Sequence, residues 1–219
     1  MRIVCRLTAA LVMLLPALPA AAMPAFLSAR ADQTLTYSVV RNGETIGSHS
    51  YTFRTRPDGG TVVTIHATIR VSILMVTAYS FEQHGTELWE NDHLKAMDFF
   101  TDDDGLRHKV EAEVSRSRMT VSVDGKPPVY HPEMLPATLW HIPSPQTNIV
   151  LDPADGDATP IKTSYAGEDT ITVRGRPLKA QHWVWDGGLK RDLWYDGNQA
   201  LVQVRIKGDD DSDVFYVLK

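Results

Sequence analysis

Arg191-Asp192-Leu193-Trp194-Tyr195-Asp196-Gly197-Asn198-Gln199-Ala200-Leu201-Val202-Gln203-Val204-Arg205-Ile206 is the stretch whose reading decides the fold. A tryptophan-centred strand runs into a turn at Asp196-Gly197-Asn198. A second strand leaves it with alternating apolar residues, the mark of a half-buried strand. A weaker copy lies earlier, at Glu87-Leu88-Trp89-Glu90-Asn91-Asp92-His93-Leu94. Glu87-Leu88-Trp89 aligns with Asp192-Leu193-Trp194. Leu94 and Leu201 open the following strands, and acidic turns follow at Asp102 to Asp104 and Asp209 to Asp211. Two readings of this likeness stand side by side: an internal duplication giving a two-halved sheet, or the chance similarity of short hairpins.

The same punctuation extends over the rest of the chain. Leu35, Tyr37 and Val39 alternate with polar residues before Asn42-Gly43, a hairpin signal because both residues tolerate positive φ. Gly47 in the return strand marks a bulge or a close backbone approach. Val63, Ile65, Ala67 and Ile69 point one way and Thr64, His66, Thr68 and Arg70 the other. Tyr79, Phe81, Gln83, Glu87 and Trp89 share a face of the next strand. Further turns fall at Asp104-Gly105, at Ala166 to Asp169, at Gly175-Arg176-Pro177 and at Asp186-Gly187-Gly188. Strands this short and this regularly spaced predict an all-β domain, a single strongly curved antiparallel sheet or half-open barrel.

The pattern breaks between Lys126 and Asp157, where Pro127, Pro128, Pro132, Pro136, Pro143, Pro145 and Pro153 exclude a central strand or a long helix. The expectation is an irregular loop over 126–157 covering the core, with at most one helical turn at Ala137 to His141.

At the N-terminus, Arg2 and Arg6 precede an apolar run from Leu7 to Leu15 and small residues to Ala22, the pattern of a secretion signal. Cleavage fits after Ala22 or after Ala31, and the second site leads straight into the first strand. Pro16 and Pro19 interrupt a run already short of the roughly 20 apolar residues of a membrane span. The organisation expected is thus a leader over 1–31 and one domain over 32–219, periplasmic or secreted, without stable membrane insertion. Cys5, the single cysteine, lies ahead of the apolar run, which excludes a lipoprotein and any disulfide scaffold. Removal of the leader takes Arg2, Arg6 and Arg30 from 22 basic residues, leaving 19 against 27 acidic ones, a balance of −8. That surface excludes nucleic acid as a partner.

Several motifs together resemble an uncharacterised family of bacterial secreted proteins, a domain of unknown function. They are Asn42-Gly43 with Ile46-Gly47, Glu87 with Trp89, Leu94 with Asp104-Gly105, and Leu193-Trp194-Tyr195-Asp196. The resemblance spans the mature chain and brings no catalytic residues. More loosely, such chains are similar to the half-open barrels of periplasmic lipoprotein carriers, which implies a concave face for apolar ligands.

The chemistry in the sequence is sparse. Phosphate-cradling glycine loops, serine-nucleophile elbows and a mature cysteine are all missing, and no cofactor is implied. His131, Glu133 and His141 form a weak candidate metal set within the proline-rich loop. His84 and Glu87, three apart on a strand, face opposite sides and do not chelate together. Period two sets Glu87 beside Trp89 and Asp192 beside Trp194. Were both carboxylates to face one cavity, they would form a glycosidase-like pair. The leading expectation is instead non-catalytic: an apolar pocket lined by Trp89, Trp140, Trp194, Tyr79 and Phe81, roofed by the loop around Trp140. Its ligand would be an apolar small molecule or an envelope protein, and a structural or assembly module is the further alternative.

Overall fold

Alternating side chains and tight turns make fifteen strands among the described residues, here β1 to β15. The first eight are β1 Asp32–Arg41, β2 Glu44–Thr55, β3 Thr61–Ile73, β4 Val76–Glu90, β5 His93–Asp103, β6 Leu106–Ser115, β7 Arg118–Val123 and β8 Val129–Pro132. The others are β9 Leu135–Pro136, β10 Ile149–Leu151, β11 Ala158–Val173, β12 Arg176–Gly187, β13 Arg191–Tyr195, β14 Leu201–Lys207 and β15 Asp213–Leu218. The structure is a computed structural model describing residues 23–29, 32–73, 76–208 and 210–219. The apolar leader through Ala22, the cleavage position Ala31 and Asp209 of the second acidic turn lie outside the described residues.

The hairpin signals work as physics requires. Asn42 and Gly43 have φ of 51° and 80°, and Asn91 and Asp92 have 51° and 63°. These are the left-handed pairs whose twist matches that of the flanking strands. Gly47 is needed for close approach, since a Cβ there would stand 2.1 Å from the Thr68 carbonyl oxygen. The bulge is beside it: Val39 pairs with Gly47 and Val40 with Thr45, so Ile46 of β2 is the extra residue.

The strands form one sheet in the order β8-β7-β6-β5-β4-β3-β2-β1-β15-β14-β13-β12-β11-β10-β9. Two meanders thus meet at a central β1–β15 ladder, with Tyr37 opposite Leu218. Laid flat, fourteen strand spacings would separate β8 from β9 by about 67 Å. Yet Pro132 ends β8 and Leu135 begins β9, a link that reaches about 10 Å at most. The sheet therefore rolls almost completely round. It is closed by covalent continuity at its edges, while its hydrogen-bonded ladder stays open.

The rolled sheet buries one face. Tyr37, Tyr51, Phe53, Val63, Ile65, Trp89, Leu94, Phe99, Leu193 and Tyr195 belong to a single core. A smaller cluster holds Val39, Ile69 and Val214, with Tyr79 and Phe81 packed against it.

Ala137 to His141 are irregular, within the expected limit of one helical turn, with Leu139 in the left-handed region at φ 68°. Three local expectations are corrected. Ala166 to Asp169 do not end a strand. β11 continues through them with a bulge between Tyr165 and Gly167, because β12 pairs with it on both sides of the bulge. The sheet is antiparallel except at β9 and β10, which run parallel. Among the described residues a 3-10 turn occurs instead at Ala25–Ala29, inside the segment assigned to the leader. Phe26 within it is buried, edge-on to Phe53 at 5.2 Å, and its amide donates to the Asn198 carbonyl.

Candidate functional site

Period-two alternation in β4 sends both Glu87 and Trp89 into the core. The Trp89 indole donates to Glu87 Oε2 at 2.8 Å. The proline-rich connection then folds back into the rolled sheet. Its residue Trp140 is 0% exposed, and its indole donates to the same Glu87 oxygen at 2.9 Å. Trp140 packs edge-on against Phe53 and Trp89, with centroids 5.1 and 5.3 Å apart. The His141 ring lies 3.6 Å from the Trp140 ring and 4.2 Å from that of Trp89.

The segment Thr138–His141 is outside every strand ladder, so its carbonyls need other donors. Side chains of the wall provide them. The Tyr51 hydroxyl donates to the Thr138 carbonyl. The Tyr195 hydroxyl reaches the carbonyls of Leu139 at 2.6 Å and His141 at 2.8 Å. Just before the segment, the Ala137 amide donates to the Leu151 carbonyl at 2.8 Å. Four residues are thus held as a stopper inside the roll by two tyrosines and one carboxylate.

The electrostatics of this seat are unfavourable. Burial pushes the Glu87 carboxyl up to about 6; the nearby Thr138 hydroxyl and the Trp89 and Trp140 indoles oppose it. Burial pushes His141 down to about 3. The Thr138 hydroxyl stands beside the carboxylate, yet neither its Oγ1 nor Glu87 Oε1 has a hydrogen bond of good geometry. Both nitrogens of His141 also lack a partner. Further along the wall, His49 is in the same condition. Its ring nitrogens are unpaired, and burial, with His66 adding to it, lowers it to about 3.

Residues 37–219 match the model of a family described as a domain of unknown function, DUF6134. The chain belongs to that family. No curated protein matches it in sequence. Among solved structures, it is similar to a beta-barrel-like protein of domain of unknown function DUF1849 from Brucella abortus. The TM-score is 0.61 at 10% sequence identity, over 86% of this chain and 96% of that one. At that identity the likeness is one of fold: a rolled β architecture shared by the DUF6134 chain and a DUF1849 protein.

The other predicted residues of the DUF6134 domain are scattered. Asp192 is on the face of β13 opposite Leu193 and Tyr195. It accepts from Arg205 at 2.8 and 3.1 Å and contacts His182 Nε2 at 2.8 Å. The other His182 nitrogen faces Asp169 at 3.1 Å. Trp194 stacks on that imidazole at 4.5 Å and donates to Asp169 at 2.8 Å. Glu87 and Asp192 thus stand in separate networks on opposite faces of the sheet. Trp89 and Trp140 meet; Trp194 does not join them. Tyr79 and Phe81 pack in the smaller cluster. His131 lies opposite Met119 in the β7–β8 ladder, Glu133 binds His93 Nδ1 at 2.9 Å, and His141 is inside the stopper. Among the described residues, no three His, Cys, Asp or Glu side chains gather as a metal set.

Sequence reasoning missed Tyr51, Tyr195 and His49 as parts of the site. Tyr51 and His49 sit two apart on one face of β2, a faint signal. The link from Glu87 to Trp140 crosses 53 residues and leaves no local trace.

Proposed function

We propose that this protein is an exported, non-catalytic carrier whose ligand compartment is the interior of the rolled sheet, with Thr138–His141 as its removable stopper. The observation that carries this reading is how poorly the stopper is satisfied. Its seating leaves both His141 nitrogens buried without partners, and Glu87 Oε1 and Thr138 Oγ1 facing each other in poor hydrogen-bond geometry. Each such group costs about 1–3 kcal/mol relative to a paired one. A segment outside the ladders, seated at that cost against an aromatic wall, is one that an apolar occupant can displace.

Export rests on the N-terminal signal pattern. Among the described residues, no helix is long and apolar enough to cross a membrane. The packing of Phe26 on Phe53 favours processing after Ala22, since removal through Ala31 would strip a buried ring from the body. The intact mass of protein recovered from the exported fraction tests this; a species beginning at Asp32 would refute it.

The carrier reading is tested by titrating the purified protein with a fluorescent fatty-acid probe. Saturable binding is expected, with quenching of the interior tryptophans. Trp140→Ala should bind more tightly, because the stopper's bulk is gone. Failure of both proteins to bind saturably, with both still folded by circular dichroism, would remove the interior as a ligand site.

A further inference from the structure

The stopper takes up one part of the interior. A second group of side chains lies further along the same wall, and every member of it is a hydrogen-bond donor. Arg191 opens β13 and, by alternation, shares the face of Leu193 and Tyr195, both fully buried. The residue as a whole is half-buried, and burial lowers the pKa of its guanidinium, with Tyr216 and Asp152 as the acidic groups that oppose this. A guanidinium has five N–H donors. Here the single hydrogen bond it makes is to the adjacent Lys190 carbonyl at 2.8 Å, and among the described residues it has no ion pair.

Its cross-strand neighbour is Trp185 of β12. The Trp185 indole N–H is buried and has no acceptor. His49, with both nitrogens unpaired, lies 5.5 Å from the Tyr216 ring and 4.5 Å from Tyr51. A side-chain path thus runs from Tyr216 through His49 and Tyr51 to the stopper carbonyl at Thr138. Along β13, Arg191 is four residues from Tyr195, or about 13 Å.

A groove of about 360 Å³ runs along the outer face of the sheet, the face of Ser164, Val184, Asp192 and Arg205; it extends to Trp185, Arg191 and Ile206 at the start of β13, and Lys162, Lys190 and Lys207 border it. Lys162 and Lys190 have no ion-pair partner among the described residues, while Lys207 binds Asp213. The acids bordering the groove are Asp186 and Asp192, and Asp192 is already neutralised by Arg205. In a chain of net charge −5, this is a local cationic patch at the end of the sheet where β13 begins.

A buried indole N–H without an acceptor beside a half-buried guanidinium with most of its donors unmatched calls for a ligand that brings acceptors, and a guanidinium pairs best with a planar or tetrahedral oxyanion. We propose that Arg191 and Trp185 anchor the oxyanion headgroup, carboxylate or phosphate, of an amphiphile whose apolar tail lies along Leu193, Val204 and Tyr216 toward the stopper. This rests on the carrier reading above and gives its ligand a chemical class.

The test compares laurate, dodecanol and inorganic phosphate on the purified protein, on Arg191→Gln and on Trp185→Phe, by competition against the fluorescent probe. Charge-assisted hydrogen bonds predict that laurate binds about ten- to a hundredfold more tightly than dodecanol. Arg191→Gln should bring laurate down to the level of dodecanol and leave dodecanol unchanged, while Arg191→Lys recovers part of the difference. Trp185→Phe should weaken laurate several-fold. Equal binding of laurate and dodecanol by the unaltered protein overturns the headgroup site while the carrier stands. So does equal loss of both in Arg191→Gln. Phosphate binding as tight as that of laurate overturns the amphiphile in favour of a free anion. Binding of none of the three removes the carrier reading itself.

Discussion

Trp89 and Trp194 occupy hairpins that read alike and face opposite sides of one sheet. In the β4–β5 hairpin, Trp89 is opposite Leu94, beside a register shift between Leu88 and Trp89. In the β13–β14 hairpin, Tyr195 is opposite Leu201, beside a shift between Trp194 and Tyr195. The position equivalent to Trp89 is therefore Tyr195, and both side chains reach the stopper at His141. Aligning the two tryptophans is wrong by one residue, and one residue inverts every side chain of a strand. The consequence for the acids is large. Glu87 is buried and has its pKa pushed up, whereas Asp192 sits at the rim between His182 and Arg205. Each indole donates to a carboxylate, but Trp89 does so in the core and Trp194 across the outer face to Asp169.

The largest losses should come from the tryptophans. Trp89→Ala removes a fully buried ring and leaves a cavity, at about 3–5 kcal/mol in urea unfolding. Trp194→Ala removes a buried ring together with its stack on His182 and its hydrogen bond to the half-exposed Asp169, at about 2–4 kcal/mol. Equal losses would erase the inside–outside distinction.

Acidification comes next. His49 and His141 are held near 3 when folded against 6.5 unfolded, so folding favours their neutral forms. Their stabilisation is complete above pH 6.5 and falls as pH drops toward 3, by about 1.4 kcal/mol per unit for each. Glu87 runs the other way. Its raised pKa favours the protonated form when folded, so its contribution is present below 4.5 and lost as pH rises through about 6. Between pH 7 and 5 the histidines lose about 4 kcal/mol together and Glu87 returns about 1. The unfolding midpoint should therefore fall between these values, and His49→Gln with His141→Gln should flatten the dependence. A midpoint independent of pH would mean these rings are not buried as described.

Glu87→Gln is a smaller change. The amide keeps an acceptor for both indoles and removes the buried charge, so stability above pH 6 should rise by up to about 2 kcal/mol. A drop of that size would show that the charge itself holds the stopper. Asp192→Asn should cost under about 1 kcal/mol, since its partners are partly exposed, and raising salt should shrink the difference.

The sequence made the local geometry readable and left the long-range geometry hidden. Alternation at Val63, Ile65 and Ala67 and the turns at Asn42-Gly43 and Asn91-Asp92 depend on neighbours, and the structure shows them as expected. The β1–β15 ladder, the parallel β9–β10 pair and the return of Trp140 to Glu87 depend on residues far apart, which no period records. β11 was divided at Ala166 to Asp169 because a bulge glycine and a turn glycine look the same in sequence. Trp89 and Trp140, two of the residues expected to line a pocket, pack on each other in the interior. The role of the proline-rich loop differs from the one expected: Trp140 fills the interior rather than roofing it.

The central ladder has a consequence for how the molecule comes to exist. β1 must wait for β15, about 175 residues further along, before its second row of amides and carbonyls is matched. Until then the first meander stands as a half-shell with an unclosed flank, a template for any stray extended peptide. Contacts this distant make assembly slow. A chaperone that shields nascent polypeptide should therefore be most needed in the interval before β15 docks.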